Sequence, residues 1–379
     1  MKVAVFGGSF DPVHKEHVRL TRAAIEALKL DKVLIMPSYR APHKSGSLMD
    51  GKARLKACEI AFRNIPQAEV CDYELSQGGI SYSYLTCRYF ARRFPDAERY
   101  FLVGADMLEN FFSWRDPDEI VSLVKIAACG RGEALPTELH ARFQERFGCD
   151  FTEVPFVGER VSSTKLRVLL AFREATGGLG LEALDEKVLA YLAEGGFYRY
   201  PAAERALALE KPARQLHSYR VALMACTRAR SLGISEEKAL LAAMLHDCGK
   251  YLPTDSPLYA GFVFPSGVPE PVAHQYGGAY LAKHEFGIED EEILDAIRYH
   301  TSGREDMTPL GKLIFLADLL EDERDFEGVK ELRKLFYEDF EECFYRALER
   351  QIEYLKRTGR PVYPLTERAY EWLKAHKSR

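Results

Sequence analysis

Six side chains in the second half of the chain have the types and order of a metal centre: His217, His246, Asp247, His274, His300 and Asp318. Nitrogen and oxygen donors of this kind suit iron, manganese and similar ions and argue against a structural zinc–thiolate site. His246 and Asp247 are adjacent in "AAMLHDCGK", at the end of an apolar helical run. Neighbours in a helix reach one centre only where the helix loses regularity, which Gly249 permits. His217 heads the helical "QLHSYRVALMA", whereas Asp318 lies inside the apolar "LIFLADLLE". A carboxylate there is costly unless it binds a cation or is hydrogen-bonded. His274 and His300 complete a second nitrogen-rich centre, with Asp247 placed to bridge two ions. Two ions about 3.5–4 Å apart activate a bridging hydroxide and clamp phosphate oxygens, so hydrolysis of a phosphoester or phosphoanhydride is the natural reaction.

The beginning of the chain offers different chemistry. In "KVAVFGGSFDPVHKEH", residues 2–17, an apolar strand runs into Gly7-Gly8, a polar turn and a helix start. Backbone N–H groups of Gly8, Ser9 and Phe10, with the helix dipole behind them, favour the phosphates of a nucleoside triphosphate. His14 and His17, three residues apart on one helix face, are two potential cations that stabilise charge developing in transfer. Lys44 and Arg167 would close the cradle. "SSTKLR" puts Ser163 at a second helix start with Arg167 on its first turns. Asp106, directly after a strand end, suits a ribose hydroxyl or an ordered Mg²⁺-water shell. Tyr82 and Trp114 suit stacking on a flat heterocycle.

These residues need a frame. Strands are expected over 2–7, 32–36, 69–74, 100–103, 125–129 and 151–156, alternating with helices about every 25–35 residues. That is an α/β doubly wound parallel sheet. Near residue 200 the pattern becomes helical throughout, with periods over 203–211, 215–232, 235–246, 270–285, 289–299, 308–320, 328–353 and 363–376. The expectation is therefore a Rossmann-like domain over 1–200 and an all-α domain over 201–379. A long Pro- and Gly-rich loop, 251–271, lies between potential metal ligands and reads as an active-site rim or lid.

At 379 residues the chain is comfortable for two domains, and 47% hydrophobic with 29% charged residues is an ordinary globular balance. A net charge of −5 gives no basic excess for nucleic acid. No run of eighteen apolar residues indicates a membrane span, and no leader marks export. Eight scattered cysteines without a CxxC pair read as reduced thiols of a cytoplasmic protein.

Two resemblances carry the reading further. "GGSFDPVHKEH", "MPSYRAPHK", "GGISYSYLT", "LVGADMLENFFSW" and "VSSTKLR" resemble, in order, the blocks of the bacterial nicotinate-mononucleotide adenylyltransferases, over about residues 1–198. The resemblance implies transfer of AMP from ATP, with Mg²⁺, to nicotinate mononucleotide. His14, His17, Lys44, Ser163 and Arg167 fall on the ATP side, and Asp106, Trp114 and the loop around Tyr82 on the other. Three positions depart from that pattern: Glu16 stands where the signature has glycine, Leu85 replaces an acidic residue, and "AACGRGE" lacks the usual Arg-Pro-Gly. A carboxylate at 16 adds bulk and repels polyphosphate.

"LHDCGK", "HTSGREDM" and "ADLLEDERDF" resemble the HD-domain metal hydrolases, most closely the bacterial subgroup that splits diadenosine tetraphosphate into two ADP. That resemblance covers roughly 203–353. It implies a di-iron centre on the six residues above, with Asp247 and Lys250 catalytic and Lys250, Arg304 and Arg324 on the polyphosphate. Two other readings remain open here: a first domain that only binds a nucleotide and regulates, and a second that is a broader phosphohydrolase or phosphodiesterase. Oligomeric state stays open.

Overall fold

The structure, a computed structural model, describes residues 1–40, 48–130, 135–159 and 161–376. Lys44 lies outside the described residues, as does the side chain of Asp106. The chain divides into two compact units, Met1–Arg167 with Gly180–Tyr198, and Val168–Leu179 with Arg199–Arg379.

Six strands make the first unit: β1 (Lys2–Gly8), β2 (Lys32–Pro37), β3 (Ala68–Val70), β4 (Glu98–Gly104), β5 (Lys125–Cys129) and β6 (Thr152–Val154). All pair in parallel, in the order β3-β2-β1-β4-β5-β6. The order reverses beside β1, where open α/β sheets hold their ligands. Helices cover both faces, so the central strands read as unbroken apolar runs: Val3, Ala4, Val5, Val33, Leu34 and Ile35 are fully buried. The helices that matter below are α1 (Lys15–Leu28), α2 (Gly51–Phe62), α3 (Ser83–Arg93) and α4 (Thr137–Phe147).

Two strands are shorter than the sequence suggests. The run 69–74 pairs only as far as Val70, and Tyr73–Gln77 turns helical. Tertiary contacts decide it: Tyr73 stacks on Tyr89 with ring centroids 3.8 Å apart, and buried Glu74 accepts from Thr86 Oγ1 at 2.5 Å. Helix α4 is absent from the sequence reading; its apolar stripe, Leu139 and Phe143, is narrow and packs Phe143 on Phe111 and Phe151.

In the second unit α5 (Ser163–Ala171), begun in the first, contributes Val168 and Ala171 to a helical core, joined by Phe172 just after it. A single cut at 200 therefore misplaces the segment Val168–Leu179. The core helices are α6 (Pro212–Ala229), α7 (Glu236–Leu245), α8 (Glu270–His284), α9 (Glu291–Tyr299), α10 (Pro309–Leu320), α11 (Val329–Glu338) and α12 (Phe340–Arg357). The stretch expected as one helix over 328–353 is two. Asp339 leaves helical geometry (φ −144°), and its carboxylate accepts from the Glu342 N–H at 3.0 Å, capping α12. Among the described residues no helix is long and apolar enough to cross a membrane.

Candidate active sites

Five helices deliver the second unit's donors: His217 on α6, His246 and Asp247 at the end of α7, His274 on α8, His300 after α9 and Asp318 on α10. Helix α7 starts at Ser235, whose hydroxyl accepts from the Lys238 N–H, and ends at His246. There the His246 Nδ1 donates to the Ala243 carbonyl at 2.8 Å, and His300 Nδ1 does the same to Ile297 at 2.8 Å. Each bond fixes the tautomer in which Nε2 carries a lone pair. Gly249 serves proximity, not helix termination. It is not among the glycines with positive φ, and a Cβ there would lie 2.8 Å from both the Gly278 N and the His274 O. Its bareness lets α8, and with it His274, lie directly on the His246-Asp247 turn.

All six expected ligands come together. His217, His246 and Asp318 form one group and His246, Asp247 and His300 another, each with donor atoms within 4.8 Å of one another. His274 Nε2 joins them, 3.1 Å from Asp247 Oδ1 and 3.1 Å from His300 Nε2. His246 Nε2 and both Asp247 oxygens are buried without a hydrogen-bond partner. Arg214 Nη1 at 3.0 Å and Lys250 Nζ at 3.6 Å bring charge to Asp247 without hydrogen-bond alignment. Inward-facing, unpaired lone pairs of nitrogen and oxygen are what a pair of metal ions requires, so the residues fit a dinuclear site.

The charge states of His246, His274 and the two aspartates agree with that use. Burial lowers His246 to about 3 and His274 to about 4, keeping both neutral as ligands must be. Burial alone would raise Asp247 and Asp318. Around Asp247 the histidines and Lys250 outweigh it, around Asp318 the bond from His217 does, and both carboxyls stay well below the usual range. His217 is opposed by burial but raised overall by Asp318 (2.8 Å from Nε2) and Glu321 (3.0 Å from Nδ1).

Glu321 and Arg214 were missed in the sequence, although each lies one helical turn from a ligand, at Asp318 plus three and His217 minus three. Glu210 gave no signal at all. It is 4% exposed, takes a hydrogen bond from Ser218 (2.8 Å), and is raised to about 9 by burial and then by the Asp247 charge. Lys250 stands inside the cluster, with Nζ 3.1 Å from His274 Nε2. Arg324 lies on Asp318 Oδ1 at 2.8 Å. Arg304, expected on polyphosphate, is instead committed to Asp295 (2.8 Å) and the Glu305 and Asp306 carbonyls. The 251–271 loop is pinned at its base by buried Tyr259, whose hydroxyl fills the space a Cβ at Gly277 would occupy, while Val263 is exposed.

The first unit's site is made of backbone. Gly7 and Gly8 end β1; the Gly8 carbonyl accepts from the Ser38 N–H at 2.8 Å. Phe10 adopts φ 48°, which turns its backbone over while its ring is buried against Phe6, His17 and Phe62. Arg54 of α2, 1% exposed, holds the turn by donating to the Ser9 carbonyl (2.7 Å) and the Met49 carbonyl (3.1 Å). Buried Asp11 accepts from Tyr198 Oη (2.5 Å) and the Leu48 N–H (3.0 Å).

Several expected roles change here. Arg167, expected as an open phosphate cation, is a buried strut: it donates to the Asp11 carbonyl and to Thr164 Oγ1 (2.8 Å). His14 and His17 do sit together, rings 3.7 Å apart, with His17 Nδ1 accepting from the His14 N–H at 3.2 Å. Burial lowers His14 to about 4, so it is a neutral imidazole rather than a second cation. Ser163 Oγ donates to the Pro12 carbonyl (3.3 Å), and Ser162 Oγ caps α5 through the Lys165 N–H (3.5 Å). Asp106 falls in the short helix Ala105–Leu108 that follows β4. Tyr82 precedes α3 beneath the Arg115 guanidinium (4.8 Å), and half-buried Trp114 leans on Phe111 (5.1 Å). Arg115 was not anticipated.

Comparison with known proteins follows the same division. A cytidylyltransferase-like family model matches residues 5–169, and an HD domain model matches 214–323. The "Probable nicotinate-nucleotide adenylyltransferase/Ap4A hydrolase" of Mycoplasma pneumoniae is 30% identical over 334 residues, covering 85% of this chain and 89% of that protein. The chain belongs to this two-domain adenylyltransferase/Ap4A hydrolase family. Each half also has separate relatives. The "Bis(5'-nucleosyl)-tetraphosphatase, symmetrical" of Bacillus subtilis is 39% identical over 166 residues, 42% of this chain and 89% of its own. The "Probable nicotinate-nucleotide adenylyltransferase" of Clostridium novyi is 34% identical over 179 residues, 46% of this chain and 88% of its own. In family terms, the backbone turn of β1 belongs to the adenylyltransferase half and the histidine cluster to the hydrolase half.

Proposed function

We propose that the chain is a bifunctional nucleotide enzyme of the cytoplasm. Its first unit transfers AMP from ATP to nicotinate mononucleotide, giving deamido-NAD and pyrophosphate; its second hydrolyses diadenosine tetraphosphate to two ADP. The observation that carries the second activity is the buried, unpaired set of His246 Nε2 and the two Asp247 oxygens between two donor groups. A pair of divalent ions, iron or manganese by its donor set, supplies there the Lewis acidity that activates water and clamps phosphate oxygens. His217, His246, Asp247, His274, His300 and Asp318 hold that pair, Glu321 orients His217, and Lys250 with Arg214 and Arg324 adds positive charge for a polyphosphate.

In the first unit no covalent intermediate is needed. The mononucleotide phosphate attacks the α-phosphorus of ATP, which arrives with its Mg²⁺, and pyrophosphate leaves. The Gly8–Phe10 backbone and the α1 N-terminus cradle the phosphates, and His14 and His17 hydrogen-bond the oxygens on which charge grows. Arg54, Asp11 and Arg167 keep that turn in shape with Ser163 beside it, and the resemblance adds Lys44 as a phosphate cation. Tyr82, Trp114 and Asp106 receive the nicotinate nucleotide. Eight free cysteines, seven of them buried, accord with a reducing compartment.

Two assays on the full chain test the reading. Diadenosine tetraphosphate should yield ADP alone, with activity removed by a chelator and restored by iron or manganese; AMP plus ATP as products would sink it. ATP with nicotinate mononucleotide should release pyrophosphate stoichiometric with deamido-NAD, and release without that product would sink the transferase.

A further inference from the structure

We propose that Glu16 is a positioning residue of the first site: with Arg19 it clamps the β6–α5 loop from α1 and so sets the start of α5 for ATP. The proposal rests on the adenylyltransferase reading of the first unit. It reverses the expectation that a carboxylate at this position obstructs polyphosphate.

Glu16 stands in the first turn of α1, between the two histidines, yet it is only 8% exposed and both its oxygens are engaged. Oε1 lies 2.5 Å from Arg19 Nη1, and Oε2 accepts from the backbone N–H of Glu159 at 2.8 Å. Arg19 extends the grip: Nη2 donates to the Val157 carbonyl (3.2 Å), Nη1 is 3.7 Å from Glu159 Oε1, and the guanidinium lies 5.9 Å from the centre of the Phe156 ring. Two side chains of α1 therefore hold a ring, a carbonyl and an N–H of one loop. A carboxylate matched by a guanidinium and an N–H presents little net field to a nearby phosphate.

The gripped loop is short and its end is functional. Only residues 155–162 separate β6 from α5, where Ser163 bonds the Pro12 carbonyl and Arg167 braces Asp11. Gly158 is fitted to this arrangement. A Cβ there would lie 2.8 Å from Glu16 Oε2 and 2.5 Å from the Phe156 ring, so position 158 has no room for a side chain beside Glu16. Position 16 acts on ATP through α5, whereas Tyr82 and Trp114 reach the other substrate from different elements.

The test is made on the full chain by calorimetric titration with ATP and by KM values for both substrates. Glu16→Ala should weaken ATP binding about tenfold, the size of a lost charge-assisted hydrogen bond, and leave the mononucleotide KM within about twofold. Glu16→Gln, which keeps an acceptor for the Glu159 N–H, should recover most of the loss. Gly158→Ala should reproduce the ATP-selective loss with the α1 sequence unchanged, which guards against a Glu16 variant that does not fold. ATP binding that is unchanged or tighter in Glu16→Ala, equal weakening of both substrates, or no recovery with Gln would each overturn the clamp. An unaltered chain that binds ATP but makes no deamido-NAD would defeat the transferase reading alone, since the ATP titrations would still decide the clamp; no ATP binding at all would defeat both.

Discussion

The helical unit gathers six side chains whose lone pairs face one another, whereas the sheet unit presents a stretch of backbone and uses its buried polar side chains as struts. In the first arrangement three of the atoms at its centre, His246 Nε2 and the two Asp247 oxygens, have no hydrogen-bond partner. In the second, Arg54, Asp11 and Arg167 are satisfied among themselves and with carbonyls, and what they leave available is a shaped turn. One site is thus sensitive to the identity of its donors, the other to the integrity of its scaffold.

Substitutions should separate the two cases. Asp247→Ala removes the carboxylate at the meeting of both donor groups, and the hydrolase should lose about a thousandfold in rate together with its bound metal. Transferase rates should stay within twofold; retention of two metal ions per chain, measured by elemental analysis, would break the contrast. Arg54→Met removes only struts, the guanidinium bonds to the Ser9 and Met49 carbonyls. It should destabilise the sheet unit by about 3 kcal/mol, visible as an earlier urea transition, while diadenosine tetraphosphate hydrolysis persists below that transition. An unchanged transition would show that the turn supports itself.

A smaller effect belongs to Glu321, which orients His217 without needing to touch an ion. Glu321→Gln should weaken metal binding about ten- to a hundredfold with an unchanged fold, as read from competition with a chelator. Smallest of all is the surface pair that ties α4 to β6. His140 Nδ1 is 2.9 Å from Asp150 and Nε2 is 2.8 Å from Glu153. Burial opposes its charge, but the two carboxylates outweigh it and raise its pKa. A raised histidine gives stability that is fully present below the ordinary histidine range and lost as pH rises through the raised value. In solvent-screened surroundings His140→Gln should therefore cost more at pH 5 than at pH 9, by about 0.5 kcal/mol or less. Thermal melts showing a larger loss at pH 9 would reverse the assignment.

The contrast also explains what could be read in advance. A side-chain site announces itself by residue type, and all six donors of the helical unit were legible because an Asp in "LIFLADLLE" or a His-Asp pair after an apolar run has few bland uses. A backbone site announces itself only through glycines and turns. "GGSFDP" located the turn correctly, but residue type misled about Arg167 and His14, whose burial makes one a strut and the other a neutral ring. Arg54 and Tyr198 act on carbonyls and a carboxylate far away in the chain, so no spacing betrays them. Glu16 is the same lesson at a single position: its charge suggested repulsion, while one partner is Arg19 a turn along α1 and the other lies 143 residues away in the β6–α5 loop. The missed break at 339 has a local cause. Asp339 reads as one polar residue on a long amphipathic surface until its carboxylate is seen capping the helix after it.

Helix α5 gives Arg167 to one unit and Val168 and Ala171 to the other, and Phe172 follows them there before the chain returns to the first at Gly180. Two chemistries that share no residue are thereby threaded through one helix. Neither half can be released by one nick at residue 200 without leaving apolar side chains of the helical core on the wrong fragment. A proteolytic separation that leaves both units whole would have to fall on both sides of the 168–179 excursion.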